Sequence, residues 1–138
     1  MNSIERFTEN CREHHLKITP QRIAIYRRLQ DNRQHPTADT VYRELKSEFP
    51  SISLDTVNRT LLTFADIGIV DIVEGHGSPR RFDPDRSPHH HFTCIRCGTI
   101  TDFHDPRFDA LEIPRDIAER FTVTGKRVCL SGICERCR

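Results

Sequence analysis

Apolar residues recur at three- and four-residue intervals through the first half of the chain and alternate with polar ones after it. Ile4, Phe7 and Cys11 share one helical face. Thr19-Pro20 predicts an N-cap followed by proline at the first helical position. Thr37 predicts the cap of a helix whose stripe is Ala38, Val41, Tyr42, Leu45 and Phe49, ended by Pro50. Ser53 caps the next, with Leu54, Val57, Leu61 and Phe64 as its buried seam and Gly68 closing its C-terminus. The period then shortens. IVDIVE (69–74) alternates as a strand, EGHGSP (74–79) is turn-rich and RRF (80–82) is extended again, which predicts a β-hairpin.

Helices followed by a hairpin is the order of a winged helix-turn-helix. DPDRSP (83–88) reads as a hinge between residues 1–82 and 89–138. Beyond it the pattern predicts strands at HFTC (91–94) and TITDF (99–103), a short helix near 115–120 and a strand around 122–130. The expected fold class is α+β, a winged helix-turn-helix followed by a small α/β domain.

Charge adds little. Net charge is +1, with 12 basic against 11 acidic residues in 1–82 and 9 against 9 in 83–138. Nucleic-acid binding must therefore rest on where the basic groups sit. The first residues, MNSIERFTEN, are polar, and no stretch approaches membrane-spanning length. A cytoplasmic protein with no membrane partner is expected.

The cysteines and histidines change the picture. Cys94-Ile-Arg-Cys97 pairs with Cys134-Glu-Arg-Cys137, and in a reducing compartment a doubled CxxC predicts a closed structural zinc site. The alternative is two independent redox-active pairs. If 89–94 is extended, His89 and His91 point to one face and His90 to the other. Thiolates saturate the zinc, so the imidazoles would serve a second ion, with Asp83 and Asp102 as candidate partners. Imidazoles with carboxylates suit Fe(II), Mn(II) or Zn(II). His14, His15 and His76 read as surface residues; His90 and His104 stay open between ligand and surface. Cys11 reads as core, and Cys129 has no assignment. On the helix after Ser53 the apolar seam leaves Asp55, Asn58 and Arg59 on the outward face, where Asn can bond an adenine edge and Arg a guanine or a phosphate.

HPTADTVYREL (35–45), SLDTVNRTL (53–61), RRFD (80–83), HHHFTCIRCG (89–98), TDF (101–103) and the terminal CxxC resemble the ferric uptake regulator family in order and spacing. The resemblance covers nearly the whole chain. It implies a metal-dependent homodimeric transcription regulator, with a DNA-binding winged helix and a C-terminal dimerisation domain. It puts structural zinc on Cys94, Cys97, Cys134 and Cys137. It puts a regulatory ion, Fe(II) or Mn(II), on His35, Asp83, His89, His91 and Asp102; His35 comes from the resemblance alone. Lys17, Gln21 and Arg22 match the family's LKxTPQR segment and are expected near the DNA backbone or minor groove. Arg80 and Arg81 in the wing are expected phosphate contacts. Asn58 stands where the family usually has tyrosine, which alters the expected operator preference. Aspartate at both 83 and 102 resembles the peroxide-sensing members, in which oxidation would fall on His35 or His89. Iron-uptake members tend to have glutamate at the first position. The zinc-uptake branch adds a thiolate that is missing beside these histidines. The family's additional histidine-rich site looks broken, with Pro88 and Lys126 where ligands would be expected.

The expected partners are a second copy of the chain and double-stranded operator DNA, with no small-molecule substrate. The competing classes are an iron- or other metal-uptake regulator of the same family, a metal-dependent hydrolase using the His/Asp cluster, and a zinc-thiol redox protein. A hydrolase needs an open coordination position and a base near the bound water; Asp102 is a candidate base, but the sequence outlines no substrate pocket.

Overall fold

The computed structural model describes residues 3–32, 34–73, 80–85, 87–123 and 125–138, and the chain divides into two compact units, 1–86 and 87–138. No helix among the described residues is long and apolar enough to cross a membrane.

The N-terminal unit holds α1 (Ser3–Glu13), α2 (Pro20–Asp31), α3 (Ala38–Leu45), α4 (Leu54–Asp66), β1 (Asp71–Val73) and β2 (Arg81–Asp83). Three of its helices start where a hydroxyl can satisfy an orphan backbone donor. Thr19 accepts from the Arg22 N–H, Thr37 from Thr40 and Ser53 from Thr56, at 3.2, 3.2 and 3.1 Å. Ser53→Ala is expected to cost about 1 kcal/mol, read as a lowered denaturation midpoint; an unchanged midpoint would mean that water replaces the cap at no cost. At the other end of α4, Gly68 adopts φ +81, a left-handed turn open to glycine without strain. Its N–H reaches Ala65 O at 3.1 Å, and the Ile69 N–H reaches Phe64 O at 2.8 Å, a Schellman closure.

Phe7 of α1 stacks on Tyr26 of α2 at 4.4 Å, and Phe64 of α4 meets Phe7 edge-on at 5.4 Å. This ring trio fastens the first helix to the helix-turn-helix. Val41, Leu45, Val57 and Leu61 fill the space beneath, and Cys11 is part of the same core. Burial pushes the Cys11 thiol up, and Arg22 opposes the shift.

Three expectations need correction. α3 ends at Leu45 rather than running to Pro50: the Glu48 N–H bonds Leu45 O at 3.1 Å, tightening the last turn, and Phe49 still packs on the core. Leu54 is 43% exposed, because α4's buried seam begins only at Val57. The hairpin pairs Ile72 with Phe82 and Asp71 with Asp83, so Asp83 closes β2 instead of opening a hinge. The expected turn at 74–79, with His76, lies outside the described residues, as does Arg86 of the expected hinge. Helices α2 to α4 followed by this two-stranded sheet form the winged helix-turn-helix.

The C-terminal unit holds β3 (His90–Cys94), β4 (Ile100–Phe103), α5 (Pro106–Asp109), α6 (Arg115–Arg120) and β5 (Cys129–Gly132). The sheet order is β4-β3-β5, with β4 antiparallel and β5 parallel to the central strand. β5 begins later than the sequence pattern suggests, and α5 is an element the pattern did not reveal. Asp105 caps α5 through the Arg107 N–H at 2.9 Å, and the Arg107 side chain holds its carboxyl down at about 2. Leu111, Ile117, Phe121 and Leu130 are exposed, while Cys94 and Ile100 are the apolar residues buried among those described. This unit has too little core to stand on hydrophobic burial alone.

Candidate metal centres and nucleic-acid face

Cys94 ends β3, and Gly98, at φ +76, lets the chain turn back toward β4. The Gly98 N–H bonds Cys94 O at 2.9 Å, and the Cys137 N–H bonds Cys134 O at 3.0 Å, so each CxxC is a hydrogen-bonded turn. Pairing of β3 with β5 brings the two turns together. Arg96 and Arg136 then lace them, donating to Cys137 O at 2.8 Å and to the Thr99 hydroxyl at 3.3 Å. All four sulfur atoms lie within 4.8 Å of one another, and Cys97 and Cys134 are 3.7 Å apart. Tetrahedral zinc with bonds of about 2.3 Å sets its sulfurs about 3.8 Å apart, so the cage fits that ion. A disulfide needs about 2.05 Å, and all six cysteines are unbridged.

Electrostatics favour the same ligand. Backbone N–H groups of Cys97 and Cys134 point at the Cys94 sulfur from 3.5 and 3.4 Å. They lower its thiol to about 5. The Thr99 hydroxyl and backbone lower Cys97 as well. Cys137 is pushed up to about 12, first by hydrogen bonding with Cys134 and then by burial. Thiolates this close repel one another, and a divalent cation resolves the conflict for all four.

An imidazole meets a carboxylate in each unit, both partners buried in the N-terminal unit and only the imidazole buried in the C-terminal one. In the N-terminal one, His35 precedes α3 with φ +57, a left-handed backbone that costs a non-glycine residue about 1 kcal/mol or more. Its Nε2 stands 3.3 Å from Asp83 Oδ2, both side chains being almost fully buried. Two contacts hold this geometry: the Phe82 N–H bonds Pro36 O at 3.0 Å, and the Arg81 guanidinium bonds Gln34 O at 3.2 Å. Asp83 also accepts the Asp85 N–H at 2.9 Å.

In the C-terminal unit, His91 Nε2 is 3.3 Å from Asp102 Oδ1, across the β3–β4 ladder. His89 lies just before β3, its ring centroid 4.8 Å from that of His91. Its Nδ1 bonds Ser87 O at 2.7 Å. A carbonyl can only accept, so Nδ1 carries the proton and Nε2 keeps its lone pair for a metal. His104 is exposed, its ring 6.3 Å from His89. His14 and His15 are exposed as expected. His90, left open by the sequence, is buried on the opposite face of the sheet and bonds Asp109. The signal for that partner was present: Asp105-Pro106 repeats the cap-and-proline pattern of Thr19-Pro20 and announces α5. Cys129 is exposed on β5, in register with His91 and with its sulfur 3.7 Å from the Thr93 hydroxyl.

On α4, Asp55, Asn58 and Arg59 are all exposed, and Asp55 pairs with Arg59 at 2.9 Å. An open groove of about 460 Å³ lies beside them, with Asp39, Leu54 and Arg80 in its walls. Lys17 is exposed, Gln21 is half-buried, and Arg22 donates to Lys17 O. Arg80 is exposed, while Arg81 is half-buried through its bond to Gln34.

The model of the ferric uptake regulator family matches residues 13–130. The chain is 39% identical over 137 residues to the peroxide-responsive repressor PerR of Staphylococcus epidermidis, covering 99% of this chain and 91% of that protein. Among solved structures, that of PerR from Streptococcus pyogenes, described as a basis for peroxide sensing and gene regulation, is 33% identical. It superposes with a TM-score of 0.59 over 100% of this chain and 95% of that one. The Helicobacter pylori ferric uptake regulator, with three functional metal-binding sites, matches at a TM-score of 0.78 over 98% and 91% of the two chains. At 20% identity it speaks to the fold alone.

Proposed function

Since the chain belongs to the ferric uptake regulator family, we propose that it is a metal-dependent transcriptional repressor that binds palindromic operator DNA as a homodimer and senses peroxide. The observation that carries this reading is the pairing of buried imidazoles with aspartates, His35 with Asp83 and His91 with Asp102, in a chain similar along 99% of its length to peroxide-responsive repressors. Nitrogen and carboxylate donors of this kind suit Fe(II) and Mn(II), while the four thiols suit structural zinc.

In this reading His35, Asp83, His89, His91 and Asp102 share one regulatory ion. The first two belong to the N-terminal unit and the last three to the C-terminal one. Ligation by all five would fix the angle across residues 84–88. In a homodimer assembled through the C-terminal units, whose exposed apolar side chains support that role, the angle sets the distance between two α4 helices. Half-sites on one face of a duplex lie about 34–36 Å apart, or at multiples of that, so the angle decides whether both helices reach their bases. Asn58 and Arg59 then read base edges, with Asp55 beside them. Lys17, Gln21, Arg22, Arg80 and Arg81 approach the backbone.

When bound there, Fe(II) would supply one-electron reduction of hydrogen peroxide, going to Fe(III) and leaving hydroxide and a hydroxyl-radical-level oxidant. His35 and His89 are the ligand imidazoles proposed to take up oxygen; an oxygenated ring would be a poorer ligand, and loss of the ion would release the DNA. Mass spectrometry of Fe(II)-loaded protein after peroxide should show added oxygen on a peptide containing His35 or His89. The Mn(II)-loaded protein should stay unmodified. Gel shifts on the DNA upstream of the gene, with Mn(II), Fe(II) or Zn(II) and with or without peroxide, test the whole reading. Retention with Fe(II) that survives peroxide would leave a metal-uptake regulator of the same family. As a transcription regulator, the protein is expected to act in the cytoplasm without catalysing turnover of a substrate.

A further inference from the structure

We propose that His90 and Asp109 form a positioning couple that sets the orientation of the ligand imidazoles His89 and His91. The inference rests on the sensor reading above and extends it to the opposite face of the sheet.

His90 is the first residue of β3, and His89 lies outside the ladder altogether. Strand ends fray unless something holds them. Here the holder is a side chain. The His90 side chain is 2% exposed. Its Nε2 is 2.7 Å from Asp109 Oδ1, and its Nδ1 is 3.0 Å from the backbone nitrogen of Val128. The rings of Phe103 and Phe108 enclose it, with centroids 5.8 and 5.6 Å away.

The two hydrogen bonds fix the tautomer. A backbone N–H can only donate, so Nδ1 accepts and the ring proton sits on Nε2, directed at the Asp109 carboxylate. Both ring nitrogens of His90 are thereby engaged. Val128 works twice: its N–H bonds the His90 ring, and its C=O accepts the His91 N–H at 3.0 Å. One residue thereby locks a side chain on one face of β3 and the backbone of the next position. Because successive side chains point to opposite faces, a strand that cannot roll about its axis at His90 presents His91, and His89 before the ladder, in one orientation. Asp109 reaches His90 because it ends α5, which Asp105 and Pro106 start one turn earlier.

Groups that orient ligands without touching the ion commonly contribute 10- to 100-fold to affinity. A couple acting through the strand is expected near the lower figure. Asp109→Ala should weaken Mn(II) binding by about 10-fold in zinc-loaded protein. Asp109→Asn keeps an acceptor oxygen for Nε2–H and should restore wild-type affinity. His90→Leu should reproduce the alanine variant. Asp109 is 43% exposed, so its replacement leaves little buried surface to repack. A structural loss alone would not move the companion readout: in zinc-loaded, Mn(II)-free protein, imidazole NMR should show a slowly exchanging His90 Nε2 proton in the wild type and in Asp109→Asn. In Asp109→Ala that proton should be lost and the His89 and His91 ring signals should broaden.

Wild-type Mn(II) affinity in both Asp109→Ala and His90→Leu would overturn the proposal. A loss that Asp109→Asn fails to rescue, or that comes with lost zinc, would overturn it too, reducing the couple to scaffold. Mn(II) binding that survives His91→Ala would overturn the sensor reading itself, and the positioning role with it.

Discussion

Replacing Cys134 with serine, or stripping the zinc with a chelator, is expected to unfold the C-terminal unit while the N-terminal helices keep their structure. The continuous apolar core of the described residues belongs entirely to the N-terminal unit. By contrast, the sheet of β3, β4 and β5 buries little beyond Cys94 and Ile100. Zinc binding to such sites is worth about 10–16 kcal/mol in apparent free energy, as much as the whole stability of an ordinary domain. Without the ion, four sulfurs within 4.8 Å confront one another, one held near 5 and another near 12. Hydrogen exchange should show β3 and β5 amides losing protection in the zinc-free protein while α2 and α4 amides retain theirs. Persistent protection of β3 and β5 would mean that the sheet stands without its metal.

His91→Ala should lower Mn(II) affinity by at least ~100-fold, since losing a ligand costs no less than losing its orienting partner. Metal-dependent retention of operator DNA should vanish with it, while zinc stays bound. The reason is arithmetic. Turning a mostly open population into a mostly closed one takes a preference of about 5.5 kcal/mol for the closed state. Under the proposed function, that preference would come from bonds made only when both pairs, His35 with Asp83 and His91 with Asp102, share the ion. Calorimetry with Mn(II) and gel shifts at matched zinc content check both halves of the claim. If His91→Ala bound DNA with unchanged Mn(II) dependence, a conformational switch at this ion would have no basis.

Local chemistry was the legible part of the sequence. Thr19, Thr37 and Ser53 sit at helix caps because their hydroxyls satisfy nearby N–H groups, and Gly68 tolerates a left-handed turn; both effects act within four residues. The four cysteines were legible for a similar reason, since each CxxC is one turn. What escaped depends on distant residues. Parallel pairing of β3 with β5 matches His91 with Cys129, and no alternation over residues 122–130 reveals which of them will pair. His90 looked like its neighbours until Asp109, nineteen positions on, took its ring. Asp83 read as linker because DPDRSP is rich in proline and charge, yet Asp71 extends the ladder to include it. Leu54 fits the apolar period, but the first turn of α4 stands clear of the core.

The parallel edge of the C-terminal sheet also sets an order of assembly. Cys94 and Cys97 leave the ribosome well before Cys134 and Cys137, with residues 98–133 between them. At a synthesis rate of ~5–20 residues per second, the gap is roughly 2–7 seconds. Through that interval the reading head, built from contacts between neighbouring helices, can already be folded, whereas the central strand still lacks β5 and half of its thiols. A nascent chain thus passes through a stage that can touch DNA before it can answer to metal, and the late arrival of the second cysteine turn ends it.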